Sequence, residues 1–203
     1  MVVILLKKIK NNNFHKTGEA SLVPIRSQLS RLLADMCPGD INKFIYTSSG
    51  AEANEAAIRA ARLYTGRRKI LARYKSYHGS TAGCLSLTGD YRRVFNEPMD
   101  PSVRHFHCPY PYAFKWSDTD DPKEICEKSL AYFRETLQHE GPETVAAVYI
   151  ESVTGTNGVL APPPGYLEGI RELCDQHGIL MVCDEVMAGF GRTGRLYSFT
   201  IQF

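Results

Sequence analysis

The chain has 203 residues, 43% hydrophobic and 23% charged, with a formal net charge of +2. Such a length suits one domain, or a fraction of a larger protein, with a substantial core. The near-balanced charge gives no electrostatic case for nucleic acid or an anionic membrane surface as partner. The six cysteines include no C-x-x-C pair, which leaves zinc-ribbon and thioredoxin-like sites unsupported and predicts reduced thiols in a cytoplasmic protein. In chain order, MVVILLKKIKNNNF places six apolar residues before its lysines. They are too few to cross a bilayer and lack the positive-then-apolar order of a secretory signal. KFIYT (43–47) reads as a strand, followed by SSG and a helix from 51 to about 64. KILARY (69–74) reads as the next strand and runs into KSYHGST. The polar, proline-containing stretch 90–122 reads as loop, because turn residues interrupt every periodic run. Residues 122–138 read as a helix with Ile125, Leu130, Phe133 and Leu137 on its apolar face. VAAVYI (145–150) is a continuous apolar strand, and the APPPG turn starts a helix through Tyr166, Leu167, Ile170 and Leu173. Gly178 stops that helix, and ILMVC (179–183) is a second apolar strand. Unbroken apolar strands alternating with helices predict an α/β class with a doubly wound, mainly parallel sheet covered on both faces.

Ligands of such sheets bind in the crevice beyond the carboxyl ends of the strands, so the residues just past each strand matter most. After 43–47 come Ser48, Ser49 and Gly50, small cap-competent residues at the start of an alanine-rich helix. They suit either an anion on exposed backbone N–H groups or a capped helix with nothing bound. No Walker or G-x-G-x-x-G pattern accompanies them. After 69–74 come Tyr77 and His78; the tyrosine could stack on a flat ligand or pack beneath a loop. Glu151 comes after 145–150, and Asp184 with Glu185 after 179–183. Carboxylates at buried strand ends are costly to desolvate without a partner. An arginine such as Arg192 or Arg195, a magnesium ion, or a protonated ligand nitrogen would each serve. His105, His107 and Cys108 lack the second ligand cluster of a zinc site. A phosphate cradle, a stacking aromatic and an acceptor carboxylate together fit a flat, phosphorylated, nitrogen-containing ring such as pyridoxal phosphate.

The segments SSGAEANEAAIRAARLYTGRRKI, YHGST and ESVTGTNGVLAPPPGYLEGIRELCDQHGILMVCDEVMAGFGRTG, in this order, resemble the class III pyridoxal-phosphate aminotransferases, most closely the branch acting on ω-amino acids and amines. The resemblance covers most of residues 30–199 and implies part of the large domain of a fold-type I enzyme. It sets apart an atypical N-terminal segment (1–29) and a divergent tail (200–203). It implies that the N–H groups of Ser49, Gly50 and Ala51 hold the cofactor phosphate. Tyr77 would stack on one ring face with His78 beside it, and Val186 would pack on the other. Asp184 would pair with the pyridine nitrogen, and Glu151 would lie near the phenolic side. Glu185, Arg192 and the GFGRTG glycines look like loop-shaping residues. Met187 stands where many relatives have glutamine and cannot donate to the ring oxygen. Ser152 replaces a frequent proline.

The resemblance also implies a lysine, roughly thirty residues beyond the DEV motif, that forms the internal Schiff base; no lysine occurs after Lys128 in these 203 residues. Lys75 lies at a strand end, but its use in that role would need a rebuilt site. The expectation is a chain truncated at both ends and inactive alone. Intact, such an enzyme would be a homodimer moving an amino group from an ω-amino acid or amine to a small 2-oxo acid. The alternative is a non-catalytic form or pseudoenzyme that pairs with a full-length sibling.

Overall fold

The computed structural model describes residues 2–6, 24–114 and 117–198. The tail assigned to 200–203 and most of the segment 1–29 lie outside the described residues. Four parallel strands form the central sheet in the order β4 (Val103–Phe106), β3 (Lys69–Arg73), β5 (Val145–Glu151), β6 (Leu180–Asp184).

The two faces of this sheet are sorted by strand parity. Ile70, Ala72, Ala147 and Tyr149 point to one face, where they meet Ala53, Ala57, Ile58 and Ala61 of α2 (Gly50–Thr65). Leu71, Val148 and Ile150 point to the other, against Phe133 and Leu137 of α5 (Pro122–Glu140) and Leu167, Ile170 and Leu173 of α6 (Tyr166–Gln176). All seven residues of β5 are buried, as expected for a central parallel strand covered on both sides. Alanine at three of the four α2 contacts lets that helix sit close to the sheet. Large aliphatic and aromatic side chains fill the opposite layer, each fully buried one contributing about 1.5–3 kcal/mol. The doubly wound expectation is met.

Two parts of the sequence reading require correction. The strand 43–47 is present as β2 (Lys43–Thr47), but it pairs antiparallel with β1 (Val2–Leu6) in a separate two-stranded sheet. Its side chains are exposed or only half-buried, and the Tyr46 hydroxyl bonds Ser30 Oγ of α1 (Pro24–Met36) at 2.7 Å. It lies outside the central parallel sheet. The stretch 90–122 is not all loop either. It contains a 3-10 helix (Tyr91–Asn96), β4 at the sheet edge and the short α4 (Pro111–Phe114). A four-residue strand bounded by turns has too few residues to show a period. The same limit hid the six-residue α3 (Ala82–Leu87).

The chain forms β3 and then β4 on one side, and crosses back over β3 to form β5 and β6 on the other. The winding direction therefore reverses between β3 and β5, and their carboxyl ends flank the crevice where open α/β sheets bind ligands.

Candidate active site

At that crevice the end of β5 is tied to the loop after β3. Glu151 is 4% exposed; its Oε1 accepts the Tyr77 N–H at 2.9 Å and its Oε2 the Gly155 N–H at 2.8 Å. Arg73, wholly buried at the end of β3, donates to the Glu151 carbonyl at 2.8 Å and to Thr154 Oγ1 at 2.6 Å. Its guanidinium also lies 5.7 Å from the centre of the Tyr110 ring. Glu151 thus orients Tyr77 and the turn at Gly155 through the backbone, and Arg73 holds Glu151 and Thr154 in place.

One strand further, Asp184 ends β6 and is 8% exposed. Its Oδ2 is 2.8 Å from His78 Nδ1 and accepts from Asn54 Nδ2 at 2.9 Å, while Oδ1 accepts the Val186 N–H at 3.1 Å. Asn54 also donates to the His78 carbonyl at 3.0 Å, binding α2, the 74–81 loop and β6 together. Burial pushes the Asp184 carboxyl up, but the hydrogen bond and charge of His78, with the Asn54 and Val186 donors, win and hold it below its ordinary 3.8. His78 is buried edge-on to Tyr149 at 6.0 Å, and its Nε2 has no hydrogen-bond partner. The residue thus lies behind Asp184.

The start of α2 faces the same region. Ser49 is the N-cap, its Oγ accepting the Glu52 N–H at 3.2 Å. The Glu52 carboxylate reaches back to the Ser48 N–H and hydroxyl, a capping box displaced by one residue. Helix geometry leaves the N–H groups of Gly50 and Ala51 without intrahelical acceptors, at the positive end of the helix dipole. A Cβ on Gly50 would lie 3.0 Å from Val186 Cγ2. A Cβ on Gly79, at φ +130°, would lie 2.7 Å from the Ala51 Cβ. Both glycines permit close approach at the helix start. Val186 and Met187 are half-exposed, and Met187 lies over Gly155, whose added Cβ would come within 2.6 Å of its Cγ.

Direct contacts therefore connect Gly50 to Val186, Val186 to Asp184, Asp184 to His78, and Tyr77 to Glu151, with Ser49 and Ala51 flanking Gly50. Glu185 turns away from this cluster to bond Ser152 and Ser198, the latter N–H at 2.9 Å, in keeping with a loop-shaping role. Lys75 is exposed, in the left-handed conformation at φ +61°. Asn54 and Arg73 escaped the sequence reading. The signal for Asn54 was a polar residue on the apolar face of an alanine-rich helix, and that for Arg73 was a cation ending an apolar strand. A cavity of about 590 Å³ lies beside α2 and α3, but none of the residues just named lines it. His105 stacks on Tyr74 at 5.2 Å, and burial with the nearby Arg93 charge pushes its pKa down to about 4. No group of three potential metal ligands occurs among the described residues.

The sequence of these 203 residues matches a known family over almost all of them. The sequence model for "Aminotransferase class-III" matches residues 2–202. The chain belongs to the class III aminotransferases. It is 39% identical over 175 residues to the acetylornithine aminotransferase of Methanopyrus kandleri, covering 86% of this chain and 39% of that protein. Among solved structures it resembles the taurine:2-oxoglutarate aminotransferase of Bifidobacterium kashiwanohense, in complex with PLP and glutamate. Identity is 44% and the TM-score 0.82, over 87% of this chain and 40% of that one. The PMP-bound aminotransferase of Vibrio fluvialis is 32% identical with a TM-score of 0.83, over 93% and 42%. This class III chain thus spans about two fifths of the length of the relatives it matches.

Proposed function

We propose that these residues form the cofactor-binding part of a pyridoxal-phosphate-dependent transaminase. The intact enzyme, a cytoplasmic homodimer, moves an amino group from an ω-amino acid or amine to a small 2-oxo acid. The observation that carries the reading is Asp184: a buried carboxylate at a strand end, kept ionised by His78, Asn54 and a backbone N–H. Its Oδ1 has only one of these donors, so it can still accept a proton-bearing ring nitrogen. The Gly50 and Ala51 N–H groups at the α2 start suit the phosphate, and the close packing at Gly50 and Gly79 keeps side chains out of its approach.

When bound, pyridoxal phosphate supplies an electron-poor ring that takes up charge as a substrate C–H bond breaks. The chain's own residues bind and orient it. Asp184 would keep the ring nitrogen protonated and Tyr77 and Val186 would hold the ring, while His78 and Asn54 fix the Asp184 carboxylate and Glu151 fixes Tyr77 through its backbone. Met187 has no donor to offer the ring oxygen. No lysine occurs after Lys128 in these 203 residues, and a purified 203-residue chain is expected to bind without turning over.

Pyridoxamine phosphate tests the cradle without needing that lysine. Saturable binding by the 203-residue chain, weakened about 10- to 100-fold by Asp184→Asn as a charge-assisted bond is lost, is the expected result. Absence of binding, or an Asp184→Asn variant within twofold of the parent, would overturn the assignment.

A further inference from the structure

Arg92 is the feature of this region that neither the motifs nor the proposed chemistry use. Its guanidinium lies 4.6 Å from the centre of the Tyr77 ring and 5.4 Å from that of Tyr91. It is ion-paired to Asp90, whose side chain is 4% exposed against 32% for Arg92. Asp90 is itself fixed by the Arg92 N–H at 2.9 Å and by Asn157 Nδ2 at 3.0 Å. Asn157 belongs to the turn 154–160, closed by the Thr154–Leu160 bridge, whose base is held by Glu151 and Arg73. Residues 89–92 cannot drift from Tyr77. The Gly89 N–H bonds the Ser76 carbonyl at 3.0 Å, the Gly89 carbonyl accepts from Lys75 N–H at 3.1 Å, and a Cβ at Gly89 would strike the Arg73 carbonyl at 2.2 Å.

We infer that Arg92 is a positioning residue that clamps the Tyr77 ring in the orientation in which it meets a flat ligand. The inference rests on the reading of Tyr77 as a stacking platform. The Tyr77 main chain is held by Glu151, its hydroxyl by Ser80 Oγ at 2.8 Å and its ring by Arg92. Three points of attachment remove the side-chain freedom that stacking would otherwise have to quench. A free cation at this position would suit an anionic substrate. Arg92 is instead already neutralised by a buried carboxylate, which favours an architectural role over substrate binding. A partly desolvated cation–π contact is strong enough to matter for a ligand that depends on the ring's orientation.

The test is a double-mutant cycle on the 203-residue chain, with pyridoxamine phosphate as the probe. Arg92→Met is expected to weaken binding about three- to tenfold. Arg92→Lys, which keeps the cation, regains most of the loss. In a Tyr77→Leu background the Arg92→Met effect disappears, because it acts through the ring. Unchanged binding by Arg92→Met, no rescue by lysine, or an equal loss with and without Tyr77 would each overturn the inference. If the parent chain binds no pyridoxamine phosphate, the proposed function fails, and the clamp is judged by the same cycle on urea unfolding. Non-additivity of about threefold in the unfolding constant then supports it, and additivity overturns it.

Discussion

At the residue scale, Asp184 is set against its own solvation. Water would favour the ionised form without help; at 8% exposure the carboxylate depends on His78, Asn54 and the Val186 N–H. Its folded pKa lies below the unfolded value, so its stabilising contribution is complete above the unfolded pKa and is lost as pH falls through the folded one. Urea unfolding at stepped pH is expected to show a loss of stability setting in below about pH 4 that Asp184→Asn reduces. Equal slopes in the two proteins would mean that Asp184 is not held ionised. Gly79 supplies a second test at this scale. Its φ of +130° and the 2.7 Å approach of an added Cβ to Ala51 combine strain with overpacking. Gly79→Ala is expected to destabilise the chain by about 2–4 kcal/mol, read as a shift in denaturant midpoint.

At the scale of single elements, α2 carries more of the site than any other. Its first turn presents free N–H groups, its second turn supplies Asn54, and its alanine face packs on the sheet. The Ser49 cap is what starts it. Ser49→Ala is expected to cost about 0.5–2 kcal/mol of stability in thermal or urea unfolding. Pyridoxamine phosphate binding should weaken as well, because fraying of the first turn disorders the same N–H groups. The helix was legible because its small cap residues and the period of its apolar positions agree. So were β3, β5 and β6, whose buried runs carry their own signal. β2 was legible as a strand but not as lying outside the main sheet, because a five-residue run looks alike in a central strand and in a separate, half-exposed antiparallel pair. Only the pairing partner, Val2–Leu6, tells them apart, and that contact is remote in sequence. The 3-10 helix, β4 and α3 were too short to impose a period.

At the scale of the whole molecule, the site is a product of topology. Ser49, Tyr77, Glu151 and Asp184 are spread over 136 positions, from 49 to 184 counted inclusively. The reversal of winding between β3 and β5 is what gathers them at one edge. Which residues end each strand could be read from the sequence; which of them touch could not. The pairing of His78 with Asp184, the Asn54 bridge and the Arg73 anchor depend on the order of strands in space. Such bonds are invisible until the sheet is assembled. The same topology places Val186 against Gly50 and Met187 against Gly155, both half-exposed.

The central claim is that Asp184 partners a protonated ring nitrogen. The most direct measurement is the nitrogen-15 chemical shift of pyridoxamine phosphate, labelled at the ring nitrogen and bound to the 203-residue chain. The expected result is a pyridinium shift that persists at pH values where the free compound has lost that proton, and that Asp184→Asn abolishes. A bound ligand with the shift of the unprotonated ring, or a pyridinium signal untouched by Asp184→Asn, would contradict the account.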